Sequence, residues 1–131
     1  MSGNPATPED WAAKAEMDFK AALDLASRKK EQLPDKVVYD CAQCAEKYLK
    51  AFLVKQKETF RYRHDLRELN TKCVALDATF VSLDNDLRTL NRWGSEVRYP
   101  GVSAATDDAK DAIASVKRVR RFVRAKLGLS P

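Results

Sequence analysis

The chain has 131 residues, 44% of them apolar and 33% charged, which suits one helical domain with a single core and densely charged exposed faces. Its longest apolar runs are a few residues, far too short to cross a membrane, and its amino-terminal stretch has no apolar secretory core, so the expected compartment is the cytoplasm. A net charge of +5 permits an acidic partner such as nucleic acid without requiring one.

The four glycines and five prolines fall at the ends of helical patterns. A first helix is expected from Thr7, whose hydroxyl caps free amides while Pro8 takes the first turn and Glu9 and Asp10 meet the positive end of the dipole. Its apolar stripe is Trp11, Ala15, Phe19, Ala22 and Ala26, and Arg28-Lys29-Lys30 suits its carboxyl end. Pro34-Asp35 restarts the chain. A second helix, from about Asp35 to Gln56, carries Val38, Cys41, Ala45, Tyr48, Leu49 and Phe52, flanked by Val37, Ala42, Cys44 and Leu53. These cover half its circumference, which predicts a central helix whose remaining arc shows Asp40, Gln43, Glu46, Lys47 and Lys50.

A third helix is expected from about Asp65 to Leu76 on Leu66, Leu69 and Cys73, and a fourth from about Ser82 to Val97 on Leu83, Leu87 and Leu90, with Gly94 a weak point near its end. The last runs from Thr106 to about Leu127, with Ala109, Ala112, Ile113, Val116, Val119, Val123 and Leu127 turned inward and Lys110, Lys117, Arg121 and Arg124 along one flank. No strand-period alternation persists. The expected fold is all-α, a five-helix up-and-down bundle over residues 7–127, between tails 1–6 and 128–131.

Four segments carry chemistry. Cys41-Ala42-Gln43-Cys44 has the spacing of a zinc or redox pair, but zinc would need both Cys73 and the single His64 to complete four ligands, the pair lies in the apolar pattern of a helix, and redox pairs open a helix after a strand, so buried thiols in the core are expected and no metal site is assigned. Phe60-Arg61-Tyr62-Arg63-His64 interleaves aromatic and cationic groups that can stack on a base and fork onto phosphate; it also reads as a helix connection, with Phe60 or Tyr62 in the core and His64 capping the third helix. The run from Lys117 to Lys126 holds six cations and no anion, either a solvated face or an anion-attracting surface. Arg98-Tyr99-Pro100-Gly101 either anchors a loop or presents a guanidinium into a cleft.

The order Gln43-Cys44-Ala45-Glu46-Lys47-Tyr48-Leu49-Lys50-Ala51, then His64-Asp65-Leu66, then Arg98-Tyr99-Pro100 resembles the HEPN domain, a small helical module of prokaryotes, over roughly Trp11 to Leu127. The resemblance implies a homodimer and one of two roles. Many HEPN domains are metal-independent endoribonucleases, often toxins, in which an arginine is followed after four to six residues by histidine. Here no histidine follows Arg98, and Lys57, Glu58 and Thr59 stand where that arginine would precede His64. Other members bind nucleotides or partner a minimal nucleotidyltransferase in toxin–antitoxin-like systems.

The expectation is therefore a non-catalytic module that binds a nucleotide or RNA-like polyanion, or that serves such a partner, with no cofactor. Lys47, Lys50, Arg61, Arg63, His64, Arg98 and Tyr99 are the anion-binding candidates, and Lys50, Arg61, His64 and Arg98 are expected to meet in one cleft at a bundle end. The alternatives are an endoribonuclease using Arg98 and His64, and an interaction domain without a small ligand.

Overall fold

A computed structural model describes residues 6–60 and 65–131. Five α-helices follow one another: α1 (Pro8–Ser27), α2 (Pro34–Lys55), α3 (Leu66–Leu76), α4 (Asp84–Asn91) and α5 (Thr106–Leu127), with no strand among the described residues. The all-α reading holds. No described helix is long and apolar enough to cross a membrane.

The helix ends follow from local chemistry. Thr7 accepts from the Asp10 amide at 3.1 Å, and the Asp10 carboxylate accepts from the Thr7 amide at 2.9 Å, a reciprocal cap for α1. Asp65 caps α3 by accepting from the amides of Arg67 at 2.9 Å and Glu68 at 3.3 Å. The cap of α3 is therefore Asp65, in place of the His64 suggested by the sequence. Gly128 closes α5 in the left-handed conformation, φ +75°. The residues beyond it do not trail away: the Leu129 amide donates to the Arg124 carbonyl at 2.9 Å, and Leu129 packs on the core.

Helix α2 is central, packed chiefly against α1 on one side and α5 on the other. Val37, Val38, Cys41, Ala42, Cys44, Ala45, Tyr48, Leu49, Phe52 and Leu53 are all buried. Small residues on α1, Ala12, Ala15 and Ala22, are buried in the same core. Burial runs further round α2 than the apolar pattern: Asp40, Glu46 and Lys50, expected on the exposed arc, are buried as well.

The expected single helix over Ser82 to Val97 is a correction. The chain forms a 3₁₀ helix over Ala78–Leu83, the short α4 over Asp84–Asn91, a turn through Gly94 and another 3₁₀ turn over Glu96–Arg98. Phe80 and Leu83 are both buried, and a three-residue repeat puts them on one face where side chains at that spacing eclipse. Phe80 then packs between Phe52, ring centroids 4.3 Å apart, and Phe122 at 5.0 Å.

Candidate functional site

At the amino end of α2, Pro34 follows Leu33 in a left-handed conformation, and the Asp35 carboxylate accepts from the Ala104 amide at 2.6 Å. That bond ties the start of α2 to the loop before α5. The 3₁₀ turn Glu96–Arg98 lies alongside. Between them opens a cleft of about 270 Å³ lined by Asp35, Lys36, Tyr39, Val97 and Arg98. The Arg98 guanidinium stands 5.3 Å from the Tyr39 ring centroid and 5.7 Å from that of Tyr99. Among the described residues its one hydrogen bond is long, Nε to the Ser95 carbonyl at 3.4 Å, and it forms no ion pair there. Tyr99 is 61% exposed, an aromatic face in water beside an exposed cation.

The other anion-binding candidates lie elsewhere. Lys50 is 3% exposed. Its ammonium donates to Glu46 at 3.0 Å and sits 5.5 Å from the Trp11 ring centroid and 5.4 Å from that of Phe60. Eleven residues of helix separate Tyr39 from Lys50, about 16 Å at 1.5 Å per residue. Arg98 and Lys50 therefore do not share a cleft within one chain. Lys47 pairs with Asp18 of α1 at 2.5 Å. Arg61, Arg63 and His64 lie outside the described residues, whereas Arg98 and Tyr99 adjoin. Tyr39, Lys36 and Asp35 were not singled out as site residues; the signal available was Tyr39 beside two charged residues at a helix start.

The basic run of α5 is mostly committed within the fold. Arg118 donates to Asp86 at 2.8 Å, Arg120 grips Glu16 at 2.6 and 2.7 Å, Arg124 donates to the Tyr48 hydroxyl at 3.0 Å, and Lys126 pairs with Asp77 at 2.8 Å. Arg124, expected on the exposed flank, faces inward. Lys126 and Thr79 hold the Asp77 carboxyl down to about 2. Another cleft, of about 460 Å³, lies between α3 and α4, and Asp65, Glu68 and Asp84 on its walls make it unsuited to an anion.

The cysteines are unpaired and fully buried, and among the described residues no group of three or more His, Cys, Asp or Glu could hold a metal ion. Burial pushes the thiols of Cys41 and Cys73 up to about 12, and that of Cys44 well above its ordinary value. Burial, reinforced by Glu16, also raises the Tyr48 hydroxyl. These groups are moved away from nucleophilic chemistry at neutral pH.

The HEPN domain family model matches residues 8–126. Among solved structures, ST0689, an archaeal HEPN homologue, is similar in fold, with a TM-score of 0.74 and 23% identity over 93% of this chain and 98% of that one. No curated protein matches.

Proposed function

The chain belongs to the HEPN domain family, and from that premise we propose that it is a non-catalytic module that captures a nucleotide or RNA-like polyanion at the Arg98 cleft. One observation carries the reading: an exposed guanidinium, without a carboxylate partner among the described residues, stands between two tyrosine rings at an open cleft. A guanidinium forks onto phosphate oxygens, and a tyrosine face stacks on any base. In this reading the module is cytoplasmic, as its short apolar runs lead one to expect; pairing as a two-fold dimer, and service to a minimal nucleotidyltransferase in a toxin–antitoxin-like system as the alternative role, are expectations that come from the family resemblance. Scattering that reports a monomer throughout the micromolar range removes the dimer.

The test is binding of a fluorescent single-stranded oligonucleotide at fixed low salt. Arg98→Ala is expected to weaken it by about 1–3 kcal/mol, while Lys117→Ala, on α5, has a smaller effect. Affinity should fall steeply with salt. Equal affinity in wild type and Arg98→Ala removes the site. RNA cleavage in chelator that disappears in both Arg98→Ala and His64→Ala replaces the non-catalytic reading with the endoribonuclease.

A further inference from the structure

Lys36 belongs to two neighbourhoods. Its ammonium lies 5.3 Å from the centroid of the Tyr39 ring, which the Arg98 guanidinium also approaches at 5.3 Å, and Lys36 lines the same cleft. That ammonium also donates to Asp40 Oδ1 at 2.8 Å, one helical turn along α2. Asp40 is 2% exposed, and its other oxygen, Oδ2, is buried without a hydrogen-bond partner. An anionic oxygen enclosed without a donor is costly, and taking up a proton relieves the charge.

We propose that Asp40 is a positioning residue for the Arg98 cleft: its carboxylate withholds the Lys36 ammonium, and its protonation releases that cation to an anion bound beside Arg98. The inference rests on the reading of that cleft as an anion site. While Asp40 is ionised, a phosphate in the cleft competes with a 2.8 Å ion pair for Lys36. When Asp40 is neutral the competition is gone, and the Lys36 side chain, 55% exposed, has room to swing.

The groups facing Asp40 fit this arrangement. Burial raises its carboxyl above the ordinary aspartate value, against the hydrogen bond and charge of Lys36; Asp18 from α1 raises it further, and Lys47 on α2 lowers it. Asp18 and Lys47 are themselves paired at 2.5 Å, so their effects on Asp40 oppose one another. The neighbouring Cys41 thiol is held neutral.

The probe is a short oligothymidylate, whose phosphodiester charge is constant across the range used. Histidine is the side chain whose charge ordinarily changes over this range, so every protein compared carries His64→Gln. In that background, affinity should rise about two- to five-fold on going from pH 8 to about pH 5, the worth of one added exposed cation. Asp40→Asn should bind at the tighter level at both pH values, and Lys36→Met at the weaker level at both. Circular dichroism verifies that Asp40→Asn folds; if it does not, Lys36→Met carries the comparison alone. A pH response that survives in either variant, or weaker binding in folded Asp40→Asn, overturns the proposal.

If Arg98→Ala binds like its parent, the anion-site reading has failed, and the Asp40 proposal is then judged by nuclear magnetic resonance. The Lys36 ε-carbon should titrate together with the Asp40 carboxyl and lose that titration in Asp40→Asn; where that variant is unfolded, Lys36→Met should shift the Asp40 carboxyl titration. A Lys36 signal that does not follow Asp40, or an Asp40 titration left unaltered by Lys36→Met, overturns the proposal.

Discussion

Glu16 holds three helices together. Its carboxylate accepts two bonds from Arg120 of α5, at 2.6 and 2.7 Å, and another from the Tyr48 hydroxyl of α2, while Arg124 donates to that hydroxyl at 3.0 Å. Charge-assisted, two-pronged bonds of this kind are stronger than neutral ones, and removing one partner strands the others. Glu16→Gln is therefore expected to cost about 1–3 kcal/mol in urea denaturation. The pH dependence has a definite sign. Burial pushes Glu16 up, but the bonds from Arg120 and Tyr48 and the charges of Arg120 and Arg124 outweigh it and leave the carboxyl below its ordinary value. Its contribution is present above the unfolded-state pKa and lost as pH falls through the lower folded value. Wild type should lose stability over that acid window, and Glu16→Gln should lose less. Equal acid limbs for the two proteins would show that Glu16 is not linked to folding.

At the scale of elements, the start of α2 is held in a conformation that its residue type resists. Leu33 has φ +50° and is half exposed, and α2 begins without a side-chain cap. A left-handed leucine costs about 1–2 kcal/mol, and asparagine tolerates that region better. Leu33→Asn should raise the urea midpoint, corresponding to a gain of about 0.5–1 kcal/mol in unfolding free energy after the lost burial is subtracted. A lower midpoint would mean that the Leu33 side chain contributes more by packing than its conformation costs. The five helices were legible because their stripes repeat along the chain: Thr7, Asp65 and Thr106 mark starts, and Val116, Val119 and Val123 mark an inward face. The segment from Ala78 to Arg98 was less legible, since Phe80 and Leu83 follow a three-residue repeat that overlaps an α-helical one. Of the cleft, Arg98 and Tyr99 were visible beside a turn. Tyr39 was not, because its role depends on a residue 59 positions further along the chain, and the same limit hid Glu16 from Arg120, 104 positions away.

At the scale of the molecule, the three cysteines report how the bundle comes apart. Cys41 and Cys44 sit on α2, covered by α1 and α5, and both are 0% exposed. Cys73 is equally buried, but it belongs to the eleven-residue α3, which packs on α2 and α4 and lies outside the three-helix contact of α1, α2 and α5. Alkylation requires a thiolate in contact with reagent, and burial opposes both conditions, holding Cys41 and Cys73 up at about 12. Each thiol therefore labels only after the element above it opens. With iodoacetamide in increasing urea, peptide-resolved mass spectrometry should find Cys41 and Cys44 labelling together, at the midpoint where helical circular dichroism is lost. Cys73 should label at the same urea concentration or a lower one, since α3 can detach while the three long helices remain packed. Cys44 labelled in native buffer at the rate of a free thiol, or Cys73 protected after Cys44 has reacted, would show that α2 is not the last element to open.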